Sequence, residues 1–153
     1  ATVRIVGDEV QPADRFMVNK LAEPGRWDVI VFRDKDDPDV VLVKRLVGLP
    51  GETVVIKGGS VWIDGEELTP PAELAGQSYG TANAGMRNRA MVEPDLRVAV
   101  GQPVELGRDE FYVLGDFSEI SDDSRVFGPV RRSDLIGVAE FIYWPVGRWR
   151  LLR

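Results

Sequence analysis

The sequence predicts an all-β domain, and three observations carry that prediction. Short runs rich in Val, Ile and aromatic residues recur along the chain, and clusters of Gly, Pro and Asp separate them. Two consecutive runs are joined by a bare Gly-Gly pair, the composition of a tight hairpin turn. The chain has 153 residues, 44% of them hydrophobic, enough to bury one core, so a single domain over 1–153 is expected.

The elements follow in order. VRIV (3–6), RFMVN (15–19), WDVIVF (27–32), VVLVKRLVG (40–48) and TVVIK (53–57) each read as a strand. TVVIK and SVWID meet at Gly58-Gly59, a two-residue link suited to a type I′ or II′ turn, and Asp64-Gly65 turns the chain again. From 66 to about 108 the rhythm breaks, with Pro70-Pro71, the small residues of GQSYGTANAG, and only RVAV (97–100) and PVEL (103–106) as strand candidates. That stretch is expected to be a loop-rich excursion within the domain. Order returns with EFYVLGD (110–116), then the polar FSEISDDSR, then IGVAEFIYW (136–144) as a late strand. There is neither a repeat nor a low-complexity segment.

Composition removes several function classes. A net charge of -6 and the lack of a Lys/Arg run argue against nucleic acid as a partner. The chain has no cysteine and no histidine, which removes thiol nucleophiles, disulfides, zinc ribbons and His-based triads. No run of 18 apolar residues occurs, and ATVRIVGDEV is not a leader, so the chain as given reads as soluble.

Lys44 and Arg45 interrupt an otherwise apolar strand. Alternation puts Lys44 on the face of Val40, Leu42 and Leu46, and Arg45 on the face of Val41, Val43 and Val47. One reading makes this a sheet edge guarded by charge, or two side chains that snorkel to water. The other is chemical: a lysine held among apolar neighbours loses solvation, which favours its neutral amine and lets it act as a base. Further on, GDFSEISDDSRVFG (115–128) gathers Asp116, Ser118, Ser121, Asp123, Ser124 and Arg125 in one loop. Its Ser and Asp side chains suit turns that fold onto the backbone, and Asp123 and Arg125 are spaced for an ion pair.

Taken together, KRLVGLPG (44–51) and GDFSEISDDSRVFG resemble signal peptidase I, in the family's order and wording. ADRFMVNK (13–20) is similar to the family's Gly-Asp-Arg strand, with Ala13 in place of glycine, and Phe117 stands where asparagine is usual. The closing FIYWPVGRWR is also similar to the family's end. The resemblance implies a signal-peptidase-like (LexA-like) β-fold of twisted antiparallel sheets. It implies a Ser/Lys-dyad endopeptidase that removes signal peptides from exported precursors, with Lys44 as general base. Ser121 would orient the lysine, Asp123 and Arg125 would pair and hold the loop, and Asp116 would support it. Neither a cofactor nor a metal is implied.

The family's nucleophile segment, Ser-Met-x-Pro-Thr, has no match here. Counting back from Asp14 reaches Ile5, and laying GDEVQP over the segment supplies no hydroxyl either. All serines follow Lys44, and the only earlier hydroxyl is Thr2. The nucleophile is therefore unknown. It is expected upstream of Ala1, or the domain is a non-catalytic peptide-binding or scaffolding relative, or the resemblance marks the fold alone. The family also implies an N-terminal membrane anchor absent from this chain, and a catalytic domain on the outer face of the cytoplasmic membrane. The tail with Phe141, Tyr143, Trp144, Arg148, Trp149, Arg150 and Arg153 has the make-up of a bilayer-facing surface, or of a final strand packing its aromatics on the core.

Overall fold

In the computed structural model the described residues are 14–79, 101–116 and 121–152. Their strands are β1 (Arg15–Asn19), β2 (Val29–Arg33), β3 (Val41–Gly48), β4 (Thr53–Lys57), β5 (Ser60–Ile63), β6 (Glu66–Glu67), β7 (Val104–Glu105), β8 (Glu110–Leu114), β9 (Val130–Arg131), β10 (Leu135–Trp144) and β11 (Arg150–Leu151). They form two antiparallel sheets. The larger runs β1-β10-β2-β3-β8-β9 with β11 added to β10, and the smaller runs β6-β5-β4-β7. The all-β expectation is met, and PVEL shrinks to the two residues of β7. The expected strands VRIV (3–6) and RVAV (97–100) lie outside the described residues.

Local chemistry accounts for the turns. Gly58 and Gly59 both have positive φ, 59° and 83°, the pair of values that a type I′ turn demands. Asp64 (51°) and Gly65 (89°) repeat the device between β5 and β6. Within 66–108, the described residues hold β6, a 3-10 turn at Ala72–Leu74 and β7.

The edge reading of Lys44 and Arg45 is wrong. Strand β3 is interior to the large sheet, with Lys44 opposite Ile30 of β2 and Arg45 opposite both Val29 of β2 and Leu114 of β8. Its charges therefore guard no edge and must find partners around the sheet. One face of the sheet carries Ile30, Phe32, Leu46, Phe111, Val113, Val130 and Val138, with Leu42 packed against them. On the other face Val47, Tyr112 and Leu114 meet Val54, Ile56 and Val61 of the small sheet. An irregularity in the β3·β8 pairing after Leu46 accompanies the burial of both Leu46 and Val47.

Gly48 marks where the two sheets touch. A Cβ there would sit 2.6 Å from Val54 Cγ2 and 2.8 Å from Tyr112 Cβ. The Leu-Pro-Gly turn that follows is braced from a distance: Arg26 donates to Val47 O at 2.6 Å and ion-pairs with Glu52, whose Oε2 accepts from Leu49 N at 2.7 Å.

The late strand departs from core packing at its end. Ile142 is buried, but Tyr143, Trp144 and Trp149 are 41%, 46% and 66% exposed. Their rings form a rim outside the core.

Candidate active site

The site is built where the middle of β3 meets the loop after β8. Sequence suggested an irregular loop for 117–125, and its C-terminal part is instead the start of a single helical turn, α1 (Ser124–Phe127). Asp123 makes that turn possible as its N-cap: Oδ1 accepts from Arg125 N at 3.1 Å, which satisfies one of the helix's free donors. Asp123 also holds Arg125, through Nε at 2.9 Å and Nη2 at 2.7 Å, and takes Gly115 N at 2.9 Å. Ser124 Oγ accepts from Val113 N at 2.9 Å. Loop and strand β8 are thus stapled by buried bonds, since Asp123 is 0% and Arg125 2% exposed.

This frame delivers Ser121 to Lys44. The Lys44 ammonium donates to Ser121 Oγ at 2.7 Å, across 77 residues of sequence. Gly115 leaves the space for that contact. A Cβ at 115 would fall on Ser121 Oγ and lie 3.6 Å from Lys44 Nζ, so no side chain fits there. Burial pulls the Lys44 pKa below the ordinary lysine value; the fields of Asp123, Asp122 and Asp116 oppose that pull, and Arg125 adds to it.

Asp116, expected to support the loop, turns its carboxylate to β3. Arg45 Nε donates to Oδ1 at 2.8 Å and Nη2 to Oδ2 at 2.7 Å, while Nη1 reaches Trp27 O at 2.8 Å. The fork matches the carboxylate in both oxygens, so Arg45 ends locked beside Lys44 and not in water. The structure therefore brings Lys44, Ser121, Asp123, Arg125 and Asp116 into one place. Sequence reasoning passed over Arg45 as a structural partner, and also Asp122, Arg26 and Glu52. Only the adjacency of Asp122 to Ser121 offered a signal. Phe117 lies outside the described residues, as does the region of Thr2.

Chemically, a desolvated amine bonded to a serine hydroxyl can take a proton from an alcohol or water brought beside it. Among the described residues no His, Cys, Asp or Glu cluster is gathered as a metal site.

Comparison with known proteins places the chain in a family. Residues 6–144 match the family model described as signal peptidase, peptidase S26. The chain is 34% identical over 146 residues to signal peptidase I of Leptolyngbya laminosa, covering 88% of this chain and 62% of that protein. It is 31% identical over 134 residues to signal peptidase I V of Bacillus subtilis, covering 84% of this chain and 74% of that protein. A crystal structure of a signal peptidase I from Enterococcus faecalis superposes with a TM-score of 0.55 at 28% identity, over 76% of this chain and 97% of that one.

Proposed function

Because the chain belongs to the signal peptidase S26 family, we propose that it is the Lys44-bearing part of a Ser/Lys endopeptidase that removes signal peptides from exported precursors. The observation that carries this reading is the Lys44 Nζ to Ser121 Oγ bond of 2.7 Å on a lysine whose burial favours the neutral amine. The nucleophilic hydroxyl comes from outside the described residues. Lys44 accepts its proton as the oxygen attacks the scissile carbonyl, and returns a proton to the amine that leaves. The mature chain departs with that amine; a water then gives its proton to Lys44 and its oxygen to the acyl carbon, and Lys44 passes the proton to the departing serine oxygen, releasing the signal peptide.

Ser121 keeps the amine aimed, and Asp123 with Arg125 keeps Ser121 in place. The exposed Tyr143, Trp144, Val146, Trp149 and Leu151, with Arg148 and Arg150 among them, suit a catalytic domain lying on the outer face of the cytoplasmic membrane. A second reading is a peptide-binding module of the same fold without catalysis.

Precursor cleavage separates the two. A secretory precursor with an Ala-x-Ala site is incubated in detergent with this chain, with the product of its whole gene, and with that product carrying Lys44→Ala or Ser121→Ala. Cleavage by the whole product, reduced about 10²–10⁴-fold by Lys44→Ala and less by Ser121→Ala, is the expected result. Failure of every protein to cleave, beside a working peptidase control, would transfer the assignment to the binding module.

A further inference from the structure

Beside the site, one residue holds a backbone conformation that its side chain disfavours. Trp27 has a φ of 73°, where a bulky residue is an outlier and glycine is the ordinary occupant. The local bonds show how it arises. Asp28 N donates to Gly25 O at 3.1 Å and closes a turn over Gly25, Arg26, Trp27 and Asp28, with the positive φ at the third position, as a type II turn requires. The turn runs straight into the ladder between β2 and β3. Past the Val29 and Arg45 pair, Leu46 faces two residues in place of one: its O accepts from Trp27 N at 2.7 Å, and its N donates to Asp28 O at 2.9 Å. This is a β-bulge with Trp27 in the position that suits glycine.

A bulge leaves its extra residue short of a ladder partner. Among the described residues no backbone amide donates to Trp27 O, and Arg45 Nη1 donates to it at 2.8 Å. The other two nitrogens of that guanidinium hold Asp116, whose neighbour Gly115 leaves the room in which Ser121 approaches Lys44. The Trp27 ring packs against the cluster of Val47, Tyr112 and Leu114, and that packing offsets the strain.

We propose that Trp27 is a positioning residue of the site: its bulged backbone offers a carbonyl that anchors Arg45, and Arg45 thereby holds Asp116 and the Gly115 backbone where Ser121 meets Lys44. The guanidinium is planar, so fixing Nη1 also fixes the plane in which Nε and Nη2 meet the carboxylate. The effect on rate rests on the peptidase reading; the hold on Arg45 rests on the geometry alone.

Two substitutions separate backbone from ring. Trp27→Gly and Trp27→Val both remove the ring, but glycine accepts a positive φ freely and β-branched valine resists it. In the ¹⁵N-labelled chain, the Arg45 Nε–H resonance is assigned with Arg45→Lys, and its exchange with water is followed by NMR. Trp27→Val should speed that exchange about tenfold or more, and Trp27→Gly should stay within about twofold of the native chain. Equal Arg45 exchange in the two variants overturns the proposal. If circular dichroism shows that Trp27→Val does not fold, Trp27→Ala, which also resists a positive φ, replaces it under the same criterion. In the product of the whole gene, Trp27→Val should lower kcat for precursor cleavage about tenfold with KM within about twofold, while Trp27→Gly keeps the native kcat. A native kcat for Trp27→Val in a product that cleaves also overturns the proposal. A native product that never cleaves removes the peptidase reading, and the exchange comparison still decides the hold on Arg45.

Discussion

Lys44 shows how one residue can be placed against its own solvation. Its pKa is drawn below the ordinary lysine value of 10.5 chiefly by burial. Between that lowered value and 10.5 the unfolded chain binds more protons than the folded one, so this residue makes stability rise with pH across that window. Below the window, burial of the charge opposes folding in full. Lys44→Met should therefore be more stable than the native chain near pH 6 and lose the rise between pH 6 and pH 9.5. Urea midpoints at the two pH values measure this, and an unchanged difference between them would mean that the amine is effectively solvated. The candidate base was legible in the sequence because a lysine among Val and Leu is a local anomaly. The pairing of Asp116 with Arg45 was not legible, because the two lie 71 residues apart and no local pattern marks the pair.

At the scale of elements, the turn α1 and the end of β8 act as one unit. Asp123 caps α1, pairs with Arg125 and takes Gly115 N, so a single side chain joins two backbone amides and a guanidinium. Asp123→Ala takes the carboxylate from a guanidinium that is 2% exposed and is expected to lower stability by about 3–5 kcal/mol. Asp123→Asn keeps a capping oxygen and should lose less. Urea unfolding of the two variants checks the order; equal losses would mean that the charge, and not the cap, does the holding. The ion pair was readable from the spacing of Asp123 and Arg125. The helical turn was not, because four residues carry too little pattern for a period of 3.6 and the turn exists through its cap.

The whole molecule depends on two sheets meeting at the end of β3. Gly48 lies at that junction, with Val54, Tyr112 and Leu106 all closer than a Cβ could tolerate. Gly48→Val must part the sheets or push these side chains off their rotamers, and a loss of about 1–3 kcal/mol or more is expected in thermal or urea unfolding. Gly51→Ala, in open space but at a φ of 84°, should lose about 1 kcal/mol through backbone strain alone. Equal losses at the two positions would show that the sheets are not tightly packed there. Strand positions, the Gly58-Gly59 and Asp64-Gly65 turns and the candidate base were all present in local sequence, since alternation, turn residues and a misplaced charge act over a few residues. Only the tertiary structure made β3 an interior strand, gave Asp116 to Arg45 and left Trp144 and Trp149 outside the core. Each of those outcomes follows from which distant strands pair and which side chains the paired strands then enclose. Such contacts, like the one that joins Lys44 to Ser121 across 77 residues, exist only once the chain has closed on itself.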